Sequence, residues 1–182
     1  MSLDKKKRAR YDAILPQALR TAEARIPDTL ALLGVAITSG QLKLTVIDRA
    51  ALDAWDAQWA QPSANDRGGF NWRHDVGVRQ KDSAPFHVAV WYGDTLCGFG
   101  LGRQRGNHVD LEEMEGCPDP AHPLKAAVRF CIMEAAQAFA EAAAAERLRL
   151  VDPEPALLRH YQAMRFEVVT LKNGSIYCER KV

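Results

Sequence analysis

The stretch that decides the fold is residues 86–115, FHVAVWYGDTLCGFGLGRQRGNHVDLEEME. Phe86–Tyr92 is rich in β-branched and aromatic residues, and Gly93-Asp94 is typical of a tight turn before a second strand, Leu96–Arg103. A third strand is predicted over His108–Glu115, after another turn. The centre of the chain is therefore predicted to be a three-stranded antiparallel meander.

After the meander, the sequence predicts a helix, a strand, a helix and a closing hairpin. Apolar residues recur at helical spacing from about Pro123 to Ala145, and proline suits a first helical turn. Arg147–Val151 reads as a short strand, and because it follows a helix we expect it to lie parallel to an earlier strand. A second helix is predicted over Pro155–Met164, and Phe166–Leu171 and Ile176–Arg180 form a hairpin around an Asn-Gly turn.

The N-terminal segment is predicted to be helical but divided. Leu3–Arg25 is rich in helix formers, and Pro16 should kink or restart the helix, which gives a two-piece arm. We therefore divide the chain into a helical arm, residues 1–40, and a main α/β domain, residues 41–182.

The segment between the arm and the meander contains one clear strand and one clear helix. Leu42–Ile47 alternates apolar and polar residues as a half-buried strand does, and Asp48 is placed to cap a helix over Arg49–Ala60. Gln61–Phe70 is predicted to be a loop, and Asn71–Asp82 is ambiguous, with a short helix as one interpretation. Residues Gln61–Asp82, with Trp72, Arg73 and His74 among them, are predicted to line the acceptor pocket.

Composition excludes several classes of function. Among the 182 residues, 24 Lys and Arg against 23 Asp and Glu leave a net charge of +1, so no overall field attracts nucleic acid or an acidic membrane surface. No apolar run approaches the roughly 20 residues that span a bilayer, and the basic N-terminus lacks the apolar segment of a secretory signal. The four cysteines lack the spacing of metal ligands. These features predict a cytoplasmic protein without a metal site, a membrane segment or a nucleic-acid partner.

A family resemblance rests on element order and on one motif. The predicted order β-α-α-β-β-β-α-β-α-β-β and the stretch Leu157–Glu167, LLRHYQAMRFE, resemble the GNAT superfamily of acyl-CoA-dependent N-acyltransferases, whose penultimate helix ends in "LYxxxGF". The resemblance covers about the last hundred residues, and before Phe86 it depends on element order alone. It implies an α/β fold with a mixed, mostly antiparallel sheet flanked by helices.

The resemblance also implies acetyl-CoA as cosubstrate, with its pyrophosphate at the start of the long helix. Free N–H groups and the helix dipole favour phosphate there. Lys125-Ala126-Ala127-Val128 is similar to the family's "(R/Q)xxGxG/A" ending, with Ala126 and Val128 in its glycine positions. In the alternative interpretation, Lys125 and Arg129 are only an exposed pair above a buried stripe. The predicted cofactor-binding residues are Met114, Glu115, Gly116, Cys117, Lys125, Ala126, Ala127, Val128 and Arg129. His122 lies beside this loop.

The predicted catalytic residues are one tyrosine and a set of glutamates. The resemblance assigns Tyr161 to protonate the departing thiolate, and the alternative is a tyrosine packed on the sheet. The base is expected among Glu112, Glu113 and Glu115, because the family draws a base from this strand. Strand alternation puts Asp110 and Glu112 on one face and Glu113 and Glu115 on the other. An acidic cluster would also attract a cationic amine, and the alternative is a solvated edge strand.

The resulting functional hypothesis is an N-acetyltransferase that transfers an acetyl group from acetyl-CoA to a primary amine of a small molecule or a protein. The alternative is a catalytically inactive GNAT-like binding or interaction module, because Ala126, Val128 and Arg165 stand where the family has glycine. Arg165 is costly if the helix end needs a positive φ. A homodimer, with the N-terminal arm as a docking element, is left open.

Overall fold

The computed structural model describes residues 3–32, 34–38, 40–59, 69–125 and 127–182. Of the predicted loop 61–70, only Gly69 and Phe70 fall within these ranges. Ala126, predicted to bind the cofactor, lies outside them.

The chain begins with helix α1 (Leu3–Leu32), strand β1 (Leu42–Thr45) and helices α2 (Arg49–Gln58) and α3 (Trp72–Arg79), followed by the meander strands β2 (Pro85–Tyr92), β3 (Thr95–Arg105) and β4 (His108–Gly116). It continues with helix α4 (Val128–Ala142), strand β5 (Arg147–Val151), a 3₁₀ turn (Pro155–Leu157), helix α5 (Leu158–Ala163) and strands β6 (Glu167–Thr170) and β7 (Ile176–Lys181). The predicted meander and the closing hairpin are both present.

The seven strands form one sheet in the order β1-β2-β3-β4-β5-β7-β6. Five neighbouring pairs are antiparallel, and β4 and β5 alone among the described pairs are parallel. The parallel placement of β5 was predicted, because α4 returns the chain to the end at which β4 began. A mixed, mostly antiparallel sheet flanked by helices confirms the predicted fold class.

Helices cover the two faces of the sheet with separate apolar clusters. On one face, called the α3 face, α2 and α3 pack through Trp59 and Trp72 against Phe99 of β3. On the other, called the α4 face, α1, α4 and α5 share a core that includes Phe86 and Phe139. The sheet is therefore the middle of three layers, and a site formed where it opens has access to both faces.

Helix α1 is a single helix of 30 residues, with Pro16 and Pro27 inside it. The predicted two-piece arm is therefore wrong. Seven side chains on one stripe of α1 are buried in the α4-face core: Tyr11, Leu15, Ala18, Leu19, Ala22, Ile26 and Leu30. This packing outweighs the helix hydrogen bonds that the prolines lack. The predicted boundary after residue 40 stays a prediction, although α1 shares its core with the main domain.

Helix α4 begins at Val128, five residues after the predicted start at Pro123. Residues 121–125 form turns instead, in which His122 O accepts from Lys125 N–H at 3.1 Å and Leu124 O accepts from Val128 N–H at 2.9 Å. The prediction of a helix from Pro123 is wrong, because turns with i to i+3 hydrogen bonds, such as that from Lys125 N–H to His122 O, take the place of the first helical turns. The predicted cap of α2 is confirmed, since Asp48 accepts from Ala51 N–H at 2.9 Å.

The described part of the chain contains no helix long and apolar enough to cross a membrane. The four cysteines are buried and unpaired. Within the described ranges, no group of three His, Cys, Asp or Glu side chains is arranged to hold a metal ion.

Candidate functional site

A cleft opens where β4 and β5 separate. The two strands pair only over His108–Leu111 and Arg147–Leu150, and the rest of β4, Glu112–Gly116, keeps only its pairing with β3. The cleft beyond this point has a volume of about 1220 Å³. Backbone N–H and C=O groups on the free side of β4 are available to a ligand, as at any unpaired strand edge.

A β-bulge at Glu112 sets which side chains face α3. The register between β3 and β4 shifts there, so Glu112 has no opposite residue and the strand's alternation is reset. The strand backbones approach so closely that a Cβ atom on Gly102 would lie 2.0 Å from Asp110 O. Glu112, Glu113 and Glu115 all interact with residues of α3. The prediction that Glu112 faces away from Glu113 and Glu115 is therefore wrong. It assumed that side chains alternate regularly along β4, and the bulge interrupts that alternation.

Glu112 is held by three guanidinium groups. Its carboxylate lies 2.5 Å from Arg79, 3.1 Å from Arg103 and 3.3 Å from Arg105. Burial raises the pKa of Glu112, and the charges of Arg79 and Arg103 oppose this effect. Glu112 lines the cleft, but its charge is compensated, so its main interaction joins β4 to α3 and β3.

Glu113 is half-buried on the α3 face and does not line the cleft. Burial raises the pKa of Glu113 to about 7, with a further contribution from the charge of Asp75 and an opposing one from Arg79. Its Oε2 atom has no hydrogen-bond partner among the described residues. A carboxyl group in this environment is partly protonated at neutral pH, but it lies away from the open end of β4.

Glu115 lines the cleft and accepts a hydrogen bond from Trp72 Nε1 at 2.5 Å. Burial raises the pKa of Glu115, and the hydrogen bond from Trp72 opposes the shift. No cation within the described ranges forms an ion pair with it. Of the three predicted bases, Glu115 is the one that combines access to the cleft with an uncompensated charge.

Tyr161 lies across the cleft from β4, on α5. Its side chain is 3% exposed, and its ring contacts that of Phe166, with ring centres 6.3 Å apart. Burial raises the pKa of Tyr161, although the positive charge of Arg129 opposes the shift. The hydroxyl group is therefore protonated at neutral pH and can donate a proton into the cleft.

The start of α4 forms the basic end of the cleft. Lys125, Ala127, Val128 and Arg129 all line it. Ala127, at the N-cap, supplies no side-chain cap, and the N–H groups of Ala127 and Val128 both donate to Leu124 O, at 2.8 and 2.9 Å. This end of the helix therefore offers a ligand fewer free N–H groups than an uncapped helix start, and the nearby cations matter more.

Val128 is accommodated by glycines on the sheet. A Cβ atom on Gly98 would lie 2.3 Å from Val128 Cγ2, and one on Gly116 would lie 3.0 Å from Val128 Cγ1. The residue that replaces a glycine at the helix start thus packs into a hollow that β3 and β4 provide. Met114, Glu115 and Gly116 line the cleft with it, whereas Cys117 is buried in the α3-face core.

Among the described residues of the stretch Gln61–Asp82, which was predicted to line the acceptor pocket, Gly69 and Phe70 line the cleft, whereas Trp72, Arg73 and His74 do not. Arg165 and Arg180 line it without having been predicted to do so. His122 also lines it, is 5% exposed and has no hydrogen-bond partner for either ring nitrogen among the described residues. Burial lowers the pKa of His122, with a further contribution from Lys125. Arg165 has a φ of 66°. The position of Arg165, before the aromatic residue of the C-terminal motif, could have indicated that it lies at the site. No sequence motif marks Arg180, which lies on β7.

Comparison with known proteins identifies similar structures but no similar sequences. No protein family model matches the chain, and no curated protein is significantly similar to it in sequence. The structure resembles PaiA N-acetyltransferase from Thermoplasma acidophilum, solved in complex with coenzyme A, with a TM-score of 0.57 and 13% identity over 78% of this chain and 99% of that one.

An acetyltransferase from Thermus thermophilus gives a TM-score of 0.57 and 14% identity over 80% of this chain and 100% of that one. The ribosomal-protein-S18-alanine N-acetyltransferase from Escherichia coli gives a TM-score of 0.54 and 12% identity over 78% of this chain and 94% of that one. Identities this low establish the fold alone. The chain has the acyl-CoA N-acyltransferase fold of the GNAT superfamily, as its element order and C-terminal motif predicted.

Proposed function

We propose that the protein is an N-acetyltransferase that transfers an acetyl group from acetyl-CoA to a primary amine. The observation that carries the proposal is the free edge of β4 over Glu112–Gly116, which opens a cleft between a basic and an acidic end. The phosphates of acetyl-CoA match the basic end, and the ammonium group of an acceptor amine matches the acidic end. The Thermoplasma acidophilum protein of the same fold was crystallised with coenzyme A.

The free edge suits the pantetheine arm of acetyl-CoA. Its two amide groups donate and accept hydrogen bonds in an extended chain, as an added strand does, and the N–H and C=O groups of Glu112–Gly116 are their partners in the proposal. The phosphates then lie at the start of α4, where the helix dipole and the charges of Lys125 and Arg129 favour anions.

Arg165 supports the same placement of the phosphates. A positive φ costs a residue other than glycine about 1 kcal/mol, and Arg165 adopts one on the cleft wall. Strained backbone of this kind is concentrated at functional sites. In the proposal, the guanidinium group of Arg165 binds the anionic part of the cosubstrate.

In the proposed reaction, Glu115 and Tyr161 move the two protons. Glu115 accepts a proton from the acceptor ammonium group, directly or through one water molecule, and the neutral amine attacks the thioester carbonyl. The C–N bond forms, the C–S bond breaks, and Tyr161 donates its proton to the departing thiolate. The second proton of the attacking nitrogen returns to the Tyr161 oxygen, so the products are the neutral amide, CoA thiol and protonated Glu115. Burial raises the pKa of both groups, which leaves Glu115 a stronger base and Tyr161 protonated.

Calorimetry tests the basis of the proposal. Titration of the folded protein with CoA and with acetyl-CoA should show saturable binding with micromolar affinity. The double variant Lys125→Ala, Arg129→Ala should weaken binding more at low salt than at high salt, because exposed charges are screened. Absence of binding at millimolar ligand, with the protein folded, would contradict the proposal.

Replacement of Tyr161 tests the proton donor. Tyr161→Phe should lower kcat about 100-fold, the lower range for general acid catalysis, with little change in the KM for acetyl-CoA. Tyr177→Phe, on β7 outside the cleft lining, is the matched control and should retain wild-type turnover. An unchanged rate in Tyr161→Phe would remove this residue from the mechanism.

A second candidate function is a binding module without catalysis. The observation in its favour is that Leu124 O already accepts from two N–H groups at the start of α4, where the proposed phosphate site lies. This alternative predicts no acetyl transfer to a broad panel of amines. Protein-dependent release of CoA from acetyl-CoA, coupled to acetylation of any amine, would reject it.

A further inference from the structure

An aromatic pair borders the cleft at its acidic end. Trp72 is fully buried, and its ring packs edge-on against Phe99 with ring centres 5.0 Å apart. Phe70 packs edge-on against Trp72 at 5.5 Å, lines the cleft and is 40% exposed. Because Trp72 is anchored in the core, Phe70 presents a supported apolar surface to the cleft.

The carboxylate of Glu115 lies beside this surface in a fixed position. Trp72 Nε1 donates to its Oε2 atom, and a Cβ atom on Gly69 would lie 3.2 Å from its Oε1 atom. The chain at Gly69-Phe70 therefore passes directly over the carboxylate. One negative charge and one exposed aromatic ring face the same space.

The arginines on the α3 face are already engaged. Arg79, Arg103 and Arg105 bind Glu112. Arg73, on the outer side of α3, binds Asp53 at 2.8 Å and Asp56 at 2.5 Å. A carboxylate on the acceptor would therefore meet Glu115 and, among the described residues of this face, no unpaired arginine. Like charges in a partly buried site repel strongly.

Resting on the proposed function, we propose that the acceptor is a primary amine on an apolar group, with no carboxylate on the carbon that bears the nitrogen. Glu115 attracts the ammonium group and takes its proton, and Phe70 contacts the apolar group. The new C–N bond replaces the C–S bond of the thioester, the thiolate leaves with a proton from Tyr161, and the second proton of the attacking nitrogen returns to the Tyr161 oxygen. A free arylalkyl amine and a peptide with an apolar N-terminal residue share this chemistry.

Matched acceptors separate charge from apolar contact. The release of CoA from acetyl-CoA is measured with phenethylamine, with phenylalanine, which adds only the carboxylate, and with ethanolamine, which replaces the phenyl group by a hydroxyl. Phenylalanyl-glycinamide represents the peptide source. We expect kcat/KM for phenethylamine to exceed the values for phenylalanine and ethanolamine at least tenfold, on the order that one apolar contact or one repelled charge supplies.

Substitution of Phe70 tests the apolar surface. Phe70→Ala should reduce the ratio of kcat/KM for phenethylamine to that for ethanolamine about tenfold, and Phe70→Leu should restore most of the ratio. Leu171→Ala, an equally exposed apolar residue outside the cleft lining, is the matched control and should not change the ratio. Calorimetry of phenethylamine binding to the CoA-bound proteins should give the weakest affinity for Phe70→Ala and a stronger one for Phe70→Leu. The wild type and Leu171→Ala should bind most tightly.

The outcomes separate this inference from the proposed function. Equal kcat/KM for phenylalanine and phenethylamine, or a ratio that Phe70→Ala leaves unchanged, would overturn the inference. Binding of acetyl-CoA without acetylation of any of the four acceptors would also overturn it and leave the cofactor site intact. Absence of acetyl-CoA binding would defeat the proposed function and the inference together. A higher kcat/KM for phenylalanyl-glycinamide than for phenethylamine would support the inference and identify the peptide as the source.

Discussion

The two halves of β4 differ in their partners and therefore in what their acidic residues do. Over His108–Leu111 the strand is paired on both sides, and Asp110 lies 3.2 Å from Arg105 and 3.4 Å from His108. Over Glu112–Gly116 the β5 side is free, and Glu115 lines the cleft without a cation among the described residues. Asp110 thus serves stability in the paired half, whereas Glu115, beyond the bulge at Glu112, is accessible to a ligand.

The bulge separates these halves, and breaking it should have the largest effect. Gly102→Ala places a Cβ atom 2.0 Å from Asp110 O, which is backbone and cannot move aside. Overpacking of this kind should lower the free energy of unfolding by about 3 kcal/mol, measured by urea denaturation. Gly77→Ala, in α3 with no atom within 4 Å of its added Cβ, is the control and should be neutral or stabilising. Equal stability of the two variants would mean that β3 and β4 are less closely apposed.

Removal of the uncompensated charge should affect turnover rather than stability. Glu115→Gln still accepts the hydrogen bond from Trp72 but cannot take a proton, so kcat should fall about 100-fold, equivalent to about 2.7 kcal/mol. Steady-state kinetics and thermal unfolding of the same preparation distinguish the two effects. A large loss of stability with normal turnover would instead assign Glu115 a structural role.

The compensated charge should show the opposite behaviour. Glu112→Gln leaves Arg79, Arg103 and Arg105 without their shared anion, and loss of these charge-assisted contacts should cost about 2 kcal/mol of unfolding free energy. The turnover of the folded protein should fall far less than in Glu115→Gln. If the two glutamine variants were equally stable, the contrast between a compensated and an uncompensated carboxylate on β4 would be lost.

The smallest predicted effect depends on pH and concerns Glu113. Burial raises the pKa of Glu113 from an ordinary value of 4.5 to about 7. Between these pH values the folded protein binds more protons than the unfolded chain, so the free energy of unfolding falls as pH rises from 4.5 to 7.

Glu113→Gln removes this dependence. After allowance for the partial exposure of the carboxyl group, the variant should be about 1 kcal/mol more stable than the wild type at pH 8. The difference should shrink towards pH 4.5, measured by urea denaturation across the range. Glu167→Gln, on the exposed side of β6, should follow the wild-type profile. A variant less stable than the wild type at pH 8 would contradict the raised pKa.

The sequence predicted the elements whose causes are local. The Gly93-Asp94 turn, the Asn-Gly hairpin and the Asp48 cap each depend on a few neighbouring residues, and all three are present. The parallel placement of Arg147–Val151 followed from a general rule of chain connection. The order of these elements was therefore enough to predict the fold.

The sequence did not predict features that depend on distant contacts. Pro16 signals a break in an isolated helix, and only the packing of α1 on the α4-face core makes the helix continuous. The bulge at Glu112 depends on the close approach of Gly102, which lies earlier in the chain on another strand. The packing of Val128 at the start of α4 could not be predicted either, because the space for its side chain comes from Gly98 and Gly116 on the sheet. In each case the deciding contact joins residues that no local pattern relates.

Helix α1 also changes what the sheet can bind at its first edge. The carboxylate of Glu23 accepts the N–H of Leu44 on β1 at 2.8 Å, and this N–H points away from β2. An exposed strand edge is a template for pairing with another chain and for aggregation. Another molecule can add a strand beside Leu44 only by displacing Glu23, so the N-terminal helix protects the β1 edge of the sheet from edge-to-edge association.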